Sequence, residues 1–122
     1  DRVIHPYDSI RKMVSQNCFI DGIVCYNDQI AMKVIQALYD EGIKVPEQIS
    51  VTGYDNSYMA NSNGLRLTTI LHPQEKLGEM AADLLLSIIQ NGSDKNINKN
   101  ILIEPELVIG NSCEDRNKKN NL

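Results

Sequence analysis

The chain has 122 residues, 42% of them hydrophobic and 23% charged, with a formal net charge of −4 and no tryptophan. This is the composition of a soluble globular protein, long enough for one modest domain with an ordinary core. No segment carries a basic stripe, which argues against this stretch of chain gripping a phosphate backbone. No run approaches the roughly 20 apolar residues of a membrane span.

Asp8 to Ser15 reads as the end of a helix, with Ile10 and Val14 four apart. Phe19 to Cys25 is a short apolar run rich in β-branched residues, read as a buried strand. Asn27 then caps a helix, and Asp28 suits the positive end of its dipole. Ala31, Val34, Ile35 and Leu38 sit at helical spacing and form its core face. Gly42 ends this helix just past its last turn, with Pro46 beyond. Ile49 to Tyr54 reads as a second strand and Leu67 to Leu71 as a third. Pro73 suits a first helical turn. Leu77, Met80, Ala81, Leu84, Leu85 and Ile88 mark another amphipathic helix, closing near Gly92. A polar linker extends from Ser93 to Asn100. Ile101 to Ile109 reads as one or two last strands interrupted by Pro105. The residues after Ser112 should be loose.

Strand, helix, strand, helix, strand predicts an α/β fold of three layers, with a mainly parallel sheet flanked by helices. In such sheets ligands bind beyond the carboxyl ends of the strands. That rule selects Tyr26-Asn27-Asp28, Asp55-Asn56 and His72. An ionised Asp55 only accepts hydrogen bonds, whereas Asn27 accepts and donates, a combination suited to a polyol. Tyr26 can pack on the face of a sugar ring, and His72 can donate or accept at the mouth of the site. Each residue also has a plainer role: Asn27 or Asp28 as a helix cap, Asp55 as a turn former.

Enzymatic readings find little support. Ser57, His72 and Asp55 could compose a triad, but no GxSxG elbow exposes the serine. There is no P-loop and no GxGxxG, so no cofactor is expected. His5 and His72 lack metal-site spacing, and Glu104 and Glu106 read as a solvated face. The three cysteines, Cys18, Cys25 and Cys113, are odd in number and form no CxxC pair. Neither a disulfide framework nor a zinc site is indicated, and a reducing cytoplasm fits best. Asp1 to Tyr7 does not resemble a signal peptide, and without an initiator Met the chain reads as starting inside a longer protein.

Several spaced motifs resemble the lactose/galactose repressor family. They are Gly22 through Ala31, with Tyr26-Asn27-Asp28 at its centre; Val45-Pro46-Glu47 followed by Ser50 and Gly53-Tyr54-Asp55-Asn56; Leu67-Thr68-Thr69-Ile70 with His72-Pro73 and Gly78; and Glu104 through Ile109. The resemblance runs from about Asp8 to Ser112. Cys25 through Asp28 and His72-Pro73 are most similar to the arabinose-responsive members from Gram-positive bacteria. The resemblance implies the C-terminal part of a periplasmic-binding-protein-like (type I) fold, with a small sugar in a cleft between two subdomains. Residues 1–72 would form part of the C-terminal effector-binding subdomain. Residues 73–98 would be a helix and linker of the N-terminal subdomain, 99–113 the returning strands, and 114–122 a loose tail.

Effector contacts then fall on Asn27, Asp55 and His72. His72 departs from the glutamine of some members, and Asn56 replaces a common second Asp, so only Asp55 of that pair is carried over. The implied protein is a dimeric, sugar-responsive transcriptional repressor, not an enzyme, sensing a pentose such as L-arabinose. It would meet operator DNA only through a domain outside this chain. Met32, Tyr39 and the Met59 to Leu65 loop are the implied dimer contacts. A sugar-binding protein of a transport system, which shares the fold, is the alternative.

Overall fold

A computed structural model describes residues 5–18, 20–62, 64–91 and 100–116. Phe19, Gly92, most of the Ser93 to Asn100 linker and residues 117–122, for all of which the sequence raises expectations, lie outside the described residues. The chain divides into two compact units: Asp1–Leu71 with Leu107–Leu122, and His72–Glu106.

In the first unit, helix α1 (Pro6–Ser15) opens with proline at its first position, where no amide hydrogen is needed. Its buried residue is Ile10, and Val14 packs against the core four residues on. Strand β1 (Gly22–Val24) is shorter than the apolar run predicted, because its ladder lasts only while it faces β2 (Ser50–Thr52). The two strands are parallel, with Ile23 opposite Val51.

Helix α2 (Asp28–Asp40) connects them. The Asn27 side chain caps it by accepting from the Ile30 amide at 2.9 Å. At the other end Ile43 N–H donates to the Leu38 carbonyl and Gly42 N–H to the Tyr39 carbonyl. This closing motif needs the left-handed backbone that Gly42 supplies at φ +75°. Ala31, Val34, Ile35 and Leu38 are all buried, as their spacing predicts. With Ile10, Val51 and Leu67 they form the core. Each fully buried Ile or Leu side chain contributes about 1.5–3 kcal/mol.

Beyond Thr52 the chain turns its hydrogen bonds from β1 to β5 (Thr69–Leu71). Thr52 pairs in parallel with Thr68, and the amides of Gly53 and Asp55 donate to the Thr68 and Ile70 carbonyls, both at 3.0 Å. The predicted strand to Tyr54 is therefore shorter as a ladder, ending at Thr52, and the chain beyond it takes a second backbone partner. Strand β6 (Glu106–Val108) pairs with β5, and it forms only after Pro105. Tyr58–Ala60 makes a single 3₁₀ turn, followed by a small antiparallel hairpin of β3 (Asn61–Ser62) and β4 (Leu65–Arg66). The sequence motifs place this region in a loop, since two-residue strands carry no alternation.

After β6 the chain is pinned rather than loose. Ser112 is fully buried; its hydroxyl donates to the Val51 carbonyl at 2.6 Å and accepts from the Thr68 amide at 2.8 Å. Glu114 N–H donates to the Ser50 hydroxyl, and the Arg116 guanidinium to the Gln48 carbonyl at 2.6 Å and to Asp21. The expected loose tail thus does not begin at 114, because these groups find acceptors along β2 and the turns flanking it.

The second unit is built on helix α3 (Gln74–Asn91). The Pro73 carbonyl accepts its first backbone bond, from Leu77. Met80, Leu84 and Ile88 are half-buried, while Leu77, Leu85, Leu86 and Ile89 are exposed. Among the described residues no helix is long and apolar enough to cross a membrane.

Candidate functional site

In the first unit, β1 and β2 end side by side, and two backbone bonds fix the chain just beyond them. Cys25 N–H donates to the Thr52 carbonyl and Asp28 N–H to the Tyr54 carbonyl, both at 2.9 Å. The Asn27-Asp28 corner and the Tyr54-Asp55 turn are thereby tied together. This is the carboxyl edge of the parallel sheet, where ligands of such folds gather.

Cys25 is buried there, and burial pushes its thiol up to about 11. It stays protonated at neutral pH and packs as a small apolar group. Tyr26 next to it is 85% exposed, so its ring is free to meet a ligand. Asn27 is half-buried and uses its Oδ1 as the α2 cap. Among the described residues no group accepts from its Nδ2, which leaves that amide as a donor. The cap role and a ligand role are therefore compatible.

Asp55 is half-buried, and no described residue donates to its carboxylate. Its backbone sits at φ +99° and that of Asn56 at φ +47°. Left-handed conformations at non-glycine residues cost on the order of 1–3 kcal/mol and persist where surroundings dictate them. Here three bonds dictate them. Asp55 N–H donates to the Ile70 carbonyl, Asn56 N–H to the Thr69 hydroxyl at 3.3 Å, and Ser57 N–H to the Asp28 carboxylate at 2.6 Å. The Ser57 hydroxyl is buried with no partner among the described residues.

His72 opens the second unit, half-buried, its carbonyl accepting from Gln74 N–H at 2.8 Å. The structure thus joins Tyr26, Asn27 and Asp55 on one edge of the first unit and places His72 in the other unit. No cluster of three or more potential metal ligands occurs among the described residues.

Asp28 is the residue whose part the sequence left hidden. It is fully buried, with Oδ1 accepting from the Thr69 hydroxyl and Oδ2 from Ser57 N–H, both at 2.6 Å. Gly53 leaves the necessary room: a Cβ there would overlap the Asp28 Oδ1 and lie 2.7 Å from Leu67 Cδ2. The strand-end rule selects Asp28 and the helix dipole suits an acid there, but neither signals its burial or its partners.

Comparison with known proteins agrees with this architecture. A periplasmic binding protein-like domain matches residues 5–113. An arabinose metabolism transcriptional repressor of Halalkalibacterium halodurans is 40% identical over 97 residues, 77% of this chain and 26% of the relative. The HTH-type transcriptional repressor PurR of Glaesserella parasuis is 34% identical over 116 residues, 92% of this chain and 34% of the relative. The Lac repressor dimer, solved bound to operator and the anti-inducer ONPF, has a TM-score of 0.78 at 26% identity. That match covers 88% of this chain and 37% of that one. The chain therefore spans between 26% and 34% of the length of these two sequence relatives.

Proposed function

The chain belongs to the periplasmic binding protein-like domain family, on its lactose/galactose repressor side, and from that premise we propose that it is the effector-binding and dimerisation part of a sugar-responsive transcriptional repressor. The observation that carries the reading is the pairing of Asn27 and Asp55 at adjoining strand ends, each with unspent hydrogen-bonding capacity. A sugar presents hydroxyls that both donate and accept. Asp55 accepts from one such hydroxyl, the Nδ2 of Asn27 donates to another, and Tyr26 covers an apolar ring face. His72 is proposed as a further contact on the family resemblance alone.

The effector we propose is a pentose, L-arabinose first, a choice supported by the 40% identity to the arabinose metabolism repressor. The first unit is assigned to the C-terminal subdomain and α3 to the N-terminal one. The exposed Leu85, Leu86 and Ile89 support that assignment, since a longer protein has further chain to cover them. Dimer contacts are assigned to the outer side of α2. Met32, Tyr39 and Leu65 line a shallow groove of about 570 Å³ there, and Met32, Tyr58 and Met59 an adjoining one of about 440 Å³. DNA contact and operator choice fall to a part of the protein outside this segment, acting in the cytoplasm. The sugar acts by binding one arrangement of the dimer better than another, since equal affinity for both shifts nothing.

Isothermal titration of the full-length protein with L-arabinose, D-xylose, D-ribose and D-galactose tests the reading. L-arabinose should bind, and Asp55→Ala should weaken it about ten- to a hundredfold, as expected for loss of a charge-assisted hydrogen bond of about 1.5–3 kcal/mol. Absence of binding by any sugar, or an Asp55→Ala protein of unchanged affinity, overturns it.

A further inference from the structure

We infer that Asp28 is the positioning residue of this site: its buried carboxylate holds the backbone of Asp55 to Ser57, and so sets effector affinity without touching the effector. The inference rests on the reading of Asp55 as an effector contact.

Asp28 is wholly enclosed, so no ligand reaches it. Both carboxylate oxygens are spent on neighbours of Asp55. Oδ2 takes the Ser57 amide directly, and Oδ1 takes the Thr69 hydroxyl, whose oxygen in turn accepts from the Asn56 amide. The Asp28 amide holds the Tyr54 carbonyl. One residue thus governs the chain immediately before Asp55 and the two amides immediately after it. These bonds bracket the two successive left-handed residues, Asp55 and Asn56. A short bond from a neutral donor to a carboxylate is about twice as strong as a neutral pair. The positive end of α2 favours an acidic side chain at this position. Released from this bracket, Asp55 relaxes to ordinary backbone angles and its carboxylate swings off the sugar hydroxyl.

A purely structural role for Asp28 makes a different forecast, in which its loss lowers stability and leaves affinity alone. Thr69→Val separates the two, because it keeps the side-chain shape and leaves Asp28 itself in place yet removes the hydroxyl that links Asp28 to Asn56. In the full-length protein titrated with L-arabinose, Thr69→Val should bind about tenfold more weakly, and Thr69→Ser should bind within about twofold of the parent. Ile35→Val, a core substitution that destabilises without touching these hydrogen bonds, should leave affinity unchanged. If Thr69→Val binds like the parent while Asp55→Ala does not, the inference fails and the site reading stands. Amide hydrogen exchange without ligand provides a second measurement that needs no knowledge of the effector. Asn56 and Ser57 amides should exchange faster in Thr69→Val and Asp28→Asn than in Ile35→Val. Equal exchange in all three overturns the inference even if the effector proves to be another compound.

Discussion

Ser112→Ala offers a sharp test of how the returning segment is fastened. Ser112 has no exposed surface, and its hydroxyl makes two bonds, to the Val51 carbonyl at 2.6 Å and from the Thr68 amide at 2.8 Å. Alanine removes both. Each neutral bond is worth about 0.5–1.5 kcal/mol net, and a buried donor left without a partner costs about 1–3 kcal/mol. The Val51 carbonyl keeps a weak bond from the Cys113 thiol at 3.4 Å, so the orphaned Thr68 amide dominates. The expected loss is about 2–4 kcal/mol, large against the whole stability of a domain. Native-state hydrogen exchange on the full-length protein reads this locally. Protection of the Thr68 amide should fall by roughly 30- to 1,000-fold, with each tenfold step corresponding to about 1.4 kcal/mol. A fall of less than about threefold would refute the reasoning. It would show that the remaining Asn111–Arg66 and Gly110–Thr68 bonds hold the segment without Ser112.

Two glycines should respond to alanine with opposite signs. Gly42 sits at φ +75° with open space around its would-be Cβ, so Gly42→Ala should destabilise by about 1 kcal/mol through backbone strain alone. Gly78 lies inside α3 at no positive φ and with nothing within 4 Å, so Gly78→Ala should stabilise by about 0.5–1 kcal/mol. Urea titration of the two variants side by side checks both, and a shared sign would count against the local accounts. The cysteines should alkylate in the order Cys18, Cys113, Cys25 when iodoacetamide is added at pH 8 and sites are read by mass spectrometry. Cys18 is exposed, whereas Cys25 is buried with its thiol raised from 9.0 to about 11. Since the folded state then holds a proton that the unfolded chain releases near pH 9, the stability tied to Cys25 is present below that pH. It is lost as pH rises through about 11. Cys25→Ser should flatten that alkaline slope.

What was legible in the sequence was mostly what one segment decides by itself. Helix α2 is the clearest case. Its cap at Asn27, its buried face and its glycine stop at Gly42 are all local, and all appear where the residues predict. Strand lengths were not legible, because a ladder ends where its partner ends. Of the apolar run from Phe19 to Cys25, among the described residues Gly22–Val24 alone lie in register with β2, and the chain beyond Ser50 changes partner after Thr52. The four residues of the β3–β4 hairpin carry no alternation of their own, and the local signal was the Asn63-Gly64 pair, a favoured two-residue turn, with Gly64 found at φ +82°. The anchored 113–116 segment depends on acceptors supplied by residues about 60 to 95 positions earlier, which no window of sequence contains.

The candidate site divides along the same line. Asn27 and Asp55 could be picked out because α/β topology alone says where strand ends converge. Even the backbone at Asp55-Asn56 had a local warrant, since Asp and Asn are the non-glycine residues that best tolerate positive φ. The same rule selects Asp28 but not its buried part. Its burial requires a glycine at 53 to vacate the space and a hydroxyl at 69 to meet Oδ1, and neither requirement is visible beside Asn27 in the chain. A carboxylate buried without such partners would cost several kcal/mol, so the three positions stand or fall together. The exposed Tyr26 is therefore free of such constraints, while Asp28, Gly53 and Thr69 are fixed by one another. A change of effector specificity in this scaffold is expected to leave those three untouched.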